Sequence, residues 1–310
     1  MHLIDLGLWA PFINQEEMFS WYLLPDSLAA EFRAYRPDGT ELTPFTQEAY
    51  EQFHRDAVSY VRQSVAPYQP AYHNDDMHFA AAEADGLQAA DAYAEHGPSR
   101  MPRFVRQMLG VSLRTHDAFH CASTFRVQAR RGAHWPELGT AVSSEWVTSL
   151  ANDQFLQRYG VNVPARLFQM NIAWSSTYGS NTPFGQQIHL PTPQPTTVWG
   201  ALMRAADVCP PRDWKVWLQR TIGVNYGEIP AVPPAQTWAE WITREYAFAG
   251  YIGYCFDRLD HTAGFELSAR VGWRRRLDLQ RAWIGLLDRS RSQLRGYATE
   301  LLQGYGVTLG

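Results

Sequence analysis

From Thr46 onward the apolar positions fall mostly at intervals of three and four. Tyr50, Phe53, Ala57, Val58 and Val61 form one apolar face, which predicts an amphipathic helix. Pro67 and Pro70 predict its end, because proline cannot donate the amide that continues the ladder. A second helix is predicted to start near Asn74-Asp75-Asp76, whose side chains suit an N-cap and an acidic first turn. It runs through an alanine-rich stretch to the stop signal His96-Gly97-Pro98. Further helical patterns cover 101–109, 111–127, 143–158, 163–178, 195–208, 212–222, 236–260 and 271–303. Four prolines mark Ser180 to Pro195 as a loop, and Gly227 to Pro234 reads the same way. Period-two alternation is scarce, and no strand–helix alternation points to a parallel sheet. The expected fold class is all-α, with helices packed round a shared core. Residues 1–44 mix apolar runs with turns such as Pro37-Asp38-Gly39 and take no firm assignment. The expected organisation is an N-terminal extension over 1–44 and one helical domain over 45–310.

Composition narrows the class. With 45% hydrophobic residues, 19% charged residues and a net charge of −4, the chain is not of the disordered type. No run of about 18 apolar residues predicts a membrane span. The start, MHLIDLGLWAPF, lacks the basic and long apolar regions of a secretory signal. The three cysteines, Cys121, Cys209 and Cys255, lie far apart with no CxxC pair. That pattern argues for a reducing compartment and against a disulfide scaffold or zinc ribbon. A cytoplasmic location is expected. Mild acidity gives no strong nucleic-acid signal. Nothing in the pattern fixes the oligomeric state.

The informative histidines and aspartates cluster. His73 and His78 sit in Ala-Tyr-His-Asn-Asp-Asp-Met-His; His116, Asp117 and His120 sit in Thr-His-Asp-Ala-Phe-His. Asp207 closes the apolar stretch Val198 to Ala206. A His-Asp pair among apolar neighbours is unusual, because each side chain needs a partner when buried. Asp117 and His120, three apart, share a helical face, and His116 points about 100° away. A buried carboxylate at Asp207 requires a metal, an arginine or several N–H donors. Taken singly, His73 reads as a turn residue and Asp207 as a helix cap. The informative feature is the order: His, then His-Asp, then Asp, each on its own helix.

That order resembles the H…HD…D pattern of the HD superfamily of metal-dependent phosphohydrolases. The resemblance is nearest to the catalytic domain of the cyclic-nucleotide phosphodiesterases and covers residues 45 to 290. Tyr72-His73-Asn74 is similar to the YHN segment of those enzymes, with the ligand histidine following as His78. His116-Asp117-Ala-Phe-His120 is similar to their HDxxH, and Ala206-Asp207-Val208-Cys209-Pro210 to their A-D-[LI]-S-N-P. Glu145 falls where they place a glutamate on the next helix.

The resemblance implies an HD-domain helical bundle in which His78, His116, Asp117 and Asp207 hold a divalent metal. Asp117 would bridge to a second ion. Mn, Fe, Co or Zn suits the first site, and Mg or Mn a second. It further implies that His73 protonates the leaving oxygen while His120 and Glu145 orient water or ligands. Trp174, Phe248 and Tyr251 become candidates for stacking a base or other flat group. The expected activity is hydrolysis of a small-molecule phosphate ester or diester, such as a nucleotide, by metal-activated water.

The departures are specific. One residue more separates His73 from His78 than in the family's HNxxH, which would shift His73 relative to its partner. Cys121-Ala122 replaces Pro-Gly, Phe125 replaces an asparagine, and Ser175-Ser176 stand where a further aspartate is expected. Phe248 aligns with the glutamine that grips the purine, which weakens the case for cyclic purine nucleotides. Two other readings remain. An HD-type di-iron oxygenase would add histidines between His116-Asp117 and Asp207, where His134 and His189 lie. A noncatalytic, metal-stabilised helical binding protein would need only the ligands.

Overall fold

The computed structural model describes residues 46–66, 69–99, 101, 103–116, 198–228 and 234–310. Among the described residues the fold is all-α, with nine α-helices, two π-helical turns and no strand. Helix α1, Gln47–Val65, starts at Thr46, whose hydroxyl accepts the Ala49 amide at 3.2 Å. Such a cap satisfies one of the four orphan amides of a helix start. Its buried stripe is Phe53, Ala57, Val61 and Val65, close to the expected face.

Asn74 caps the next element as expected, its Oδ1 accepting the Met77 amide at 2.9 Å. The turn that follows, Asp75–Phe79, is π rather than α. The amides of Phe79 and Ala80 reach back five residues, to the carbonyls of Asn74 and Asp75. A π-turn accommodates one residue more than an α-turn. His78 lies within this wide turn, and His73 lies just before its Asn74 cap. Helix α2, Ala80–His96, continues from it.

The patterns at 101–109 and 111–127, expected as two helices, begin as one: α3 runs unbroken from Arg103 to Thr115. Gly110 is no break. A Cβ there would lie 3.3 Å from Leu87 and 3.4 Å from Glu83, so glycine lets α3 approach α2. Helix α4, Val198–Asp207, is buried along its length apart from Trp199. Helix α5, Trp214–Ile222, is capped by Asp213, which accepts the amides of Lys215 and Val216. A second π-turn, Gly223–Gly227, follows it.

Helix α6, Trp238–Ala263, starts at the Thr237 cap and ends at Gly264, whose φ of 76° is the left-handed C-cap conformation. The single pattern at 271–303 splits into α8, Trp273–Leu287, and α9, Gln293–Gly304, preceded by the short α7, Leu267–Arg270. Ser292 causes the division by capping α9. The extension 1–44, the patterns 143–158 and 163–178, and the loop 180–195 lie outside the described residues.

Helix α6 is the centre of the packing, with α4 and α8 against it, while α2 packs on α3 and α4. Trp217, Trp241, Trp273, Leu202, Ile252 and Phe256 are almost wholly buried. Each large apolar side chain so removed from water contributes about 1.5–3 kcal/mol. The charged residues that α2 carries inward are paired. Asp85 receives both Nη atoms of Arg276 at 2.7 and 2.8 Å. Glu83 receives Arg114 at 3.0 Å and meets His54 at 2.5 Å. Arg114 also contacts Asp75 at 2.6 Å, which ties α3 to the first π-turn as well as to α2. Among the described residues no helix is long and apolar enough to cross a membrane.

Helices α2, α3 and α4 converge at Gly86. A Cβ at that position would overlap Leu113 of α3 and sit 3.4 Å from Ala206 of α4. Leu113 is fully buried, so any shift of its side chain presses on packed neighbours. Gly86→Val is expected to destabilise the chain by about 1–3 kcal/mol through overpacking, read as a lower urea midpoint at unchanged slope.

Candidate metal centre

The convergence at Gly86 sets the separation of three side chains beyond it. His78 comes from the first π-turn, His116 from the residue after α3, and Asp207 from the end of α4. All three are buried, and His116 has no exposed surface. The Nε2 atoms of the two histidines lie 3.0 Å apart. Asp207 Oδ1 is 3.0 Å from His116 Nε2 and 3.1 Å from His78 Nε2.

Neighbouring groups set which ring nitrogen faces the centre. His116 Nδ1 donates to the Leu113 carbonyl at 2.7 Å. A carbonyl can only accept, so the neutral ring carries its lone pair on Nε2, facing Asp207 and His78. His78 Nδ1 lies 2.7 Å from the Tyr72 hydroxyl. With Nδ1–H donated to Tyr72, His78 also turns a lone pair inward, as a ligand histidine does. Burial opposes ionisation of Asp207. Protonated rings at His116 and His78 would hold the carboxyl below its ordinary range; with neutral rings, that positive charge would have to come from an ion.

This donor set fits a metal ion. Two imidazoles and a carboxylate suit Mn, Fe, Co or Zn. At metal–ligand distances of about 2.1 Å, ligands at right angles stand about 3.0 Å apart. The observed separations of 3.0, 3.0 and 3.1 Å are of that size. Three ligands on one side of an ion would leave its other positions open to further ligands.

His73 lies beside the cluster, its ring centroid 5.6 Å from that of His78 and nearly perpendicular to it. Its Nδ1 is 2.5 Å from Glu228 Oε2, and Glu228 Oε1 accepts the amides of Tyr72 at 2.6 Å and His73 at 2.9 Å. Burial would raise the Glu228 pKa. The His73 charge and these hydrogen bonds more than offset it and bring the carboxyl down to about 2. Glu228 follows directly on the second π-turn. Gly223, at the start of that turn, lies so close to the segment before His73 that a Cβ would be 3.0 Å from Ala71.

Glu228 escapes the sequence reading, which treats Gly227 to Pro234 as a plain loop. The available signal is a single acidic residue between glycine, isoleucine and proline, in Gly227-Glu228-Ile229-Pro230. Of the expected ligands, His78, His116 and Asp207 meet; Asp117 lies outside the described residues. So do His120, Glu145 and Trp174, and also His134 and His189. Phe248 and Tyr251, on α6, stack with ring centroids 6.4 Å apart. Tyr251 is buried, whereas Phe248 is half-buried.

Compared with protein-family models, with curated proteins and with solved structures, the chain matches none significantly. The cluster that could hold a metal ion is thus described from its own geometry.

Glu228 makes folding sensitive to acid. Its folded pKa is depressed from 4.5 to about 2, so its contribution is present above pH 4.5 and is lost as the pH falls toward 2. A shift of that size corresponds to about 3 kcal/mol. Chelator-treated Glu228→Gln protein is expected to lose less stability than wild type between pH 5 and pH 2, as measured by urea unfolding at each pH.

Proposed function

We propose that the chain is a metal-dependent phosphohydrolase of the HD-superfamily type, acting on a nucleotide or other small phosphate ester. The observation that carries this reading is the meeting of His78, His116 and Asp207 in one buried cluster with His73 at its edge. The order of these residues along the chain is the H…HD…D order of that superfamily.

A divalent ion held there would supply an acidified water as nucleophile and draw charge from the phosphoryl oxygens. The chain's own residues do the remainder. His116 and His78 offer lone pairs fixed by Leu113 and Tyr72. Asp207 adds the negative charge that favours a cation over two neutral rings. His73, its Nδ1 engaged by Glu228, would deliver a proton from Nε2 to the leaving oxygen. An ionised Glu228 stabilises the charged form of His73, which keeps that proton in place until it is needed. Within this reading Asp117 bridges to a second ion, and His120 and Glu145 orient water.

Asp207→Asn is expected to lower metal affinity by about 100-fold or more and to abolish hydrolysis of bis-p-nitrophenyl phosphate. His73→Asn is expected to keep its metal and lose about 10²–10⁴ in turnover. Metal analysis of protein purified without chelator, paired with turnover on a nucleotide panel, checks both. Metal content unchanged in Asp207→Asn would overturn the site. Metal without hydrolysis on any ester would overturn the activity, and two irons with a mixed-valence signal would replace it with an oxygenase.

A further inference from the structure

Three partly buried arginines among the described residues face carboxylates. Arg114 faces Asp75 and Glu83, Arg276 faces Asp85, and Arg274 faces Asp260. Arg220, in the last turn of α5, does not. Its guanidinium lies over the Tyr72 ring at 5.0 Å and the Phe248 ring at 5.6 Å. Its Nη1 donates to the Cys209 carbonyl at 3.2 Å. Among the described residues it forms no ion pair.

The place is as telling as the partners. The hydroxyl of Tyr72 contacts His78, and Cys209 stands two residues beyond Asp207. Arg220 is therefore one ring removed from the metal centre. Glu245, an acidic residue of α6 near it, is spoken for by Thr221 and by Trp241 Nε1. Burial raises the Glu245 pKa, while the nearby Arg220 charge opposes that rise. Arg220 thus contacts two rings and a carbonyl, with Glu245 as an acidic neighbour beyond ion-pair distance.

The rings also bear on how the Arg220 charge is presented. Both rings lie within cation–π reach of the guanidinium, and rings do not use up its N–H groups. Of the five N–H groups of an arginine, one is used on Cys209. The planar edge matches a pair of phosphate oxygens, which take two parallel hydrogen bonds. We propose that Arg220 is an oxyanion-binding residue of the substrate pocket, holding a phosphate group of the substrate beside the His78–His116–Asp207 cluster. The proposal rests on the phosphohydrolase reading and deepens it: the substrate is anionic next to the reacting centre. It also changes the part given to Phe248. One face of that ring is occupied by Arg220 and cannot stack a base.

Inorganic phosphate titrated calorimetrically into the metal-loaded full chain tests this. Arg220→Met is expected to weaken phosphate binding by about 10–100-fold, the loss of charge-assisted hydrogen bonds, with metal content unchanged. Arg220→Lys retains the charge without the fork, so it should bind at an affinity between the two and fold even if the methionine variant does not. Phosphate affinity equal to wild type in either variant would overturn the proposal. The two readings fail separately. Arg220-dependent phosphate binding in a protein that cleaves no ester would sink the hydrolase and leave the anion site standing. Ester turnover with phosphate inhibition untouched by Arg220→Met would do the reverse.

Discussion

Three ligand atoms within 3.1 Å of one another, on buried side chains, are held together most simply by a positive charge between them. This constraint governs the described part of the molecule. His78 and His116 are 38 residues apart in the chain, and His116 and Asp207 are 91 apart. Bringing them together obliges three elements to approach closely, and the sequence supplies small residues where they do. Gly86 and Gly110 remove side chains at the α2–α3 contact, and Ala206 keeps α4 slim beside Gly86. Ala82, Ala89 and Ala90 continue the narrow surface of α2.

Close approach alone would leave the ligands free to turn. Polar contacts around the centre fix them. Leu113 orients His116, Tyr72 orients His78, and Arg114 joins Asp75 and Glu83 behind both. A buried ionic network of this kind is a weak source of net stability, because its desolvation cost is of the same order as its attraction. Its effect is positional. Removing one member would leave a charge unpaired and the histidines less constrained.

Helices that bury one face were legible, because a period near 3.6 shows in the chain. Phe53, Ala57 and Val61 on α1 are the plain case. Boundaries were less legible. Gly110 reads locally as a break, yet it lies within α3, because what it serves is contact with Leu87 and Glu83 rather than a turn. The ligands His78, His116 and Asp207 could be picked out because polar residues in apolar surroundings need partners, and their order narrowed the choice. Glu228 could not. It lies 155 residues from His73, in a segment with no period, and only folding makes them neighbours. The setting of Arg220 was equally hidden, since Tyr72, Cys209 and Phe248 come to it from three separate segments.

The first π-turn ties the centre to a count of residues. Its five members Asp75–Phe79 hold His78 in step with α2, while His73 stays outside with Glu228. An α-turn spanning the same distance would have one member fewer. A deletion of one residue there would relax the wide turn into an ordinary one, at little cost to the helix. In the tighter turn, each residue advances by about 100° round the axis. The backbone would gain regularity while the two histidines lost their mutual setting. The irregular turn works as a spacer, and its length is a property that composition and burial alone do not record.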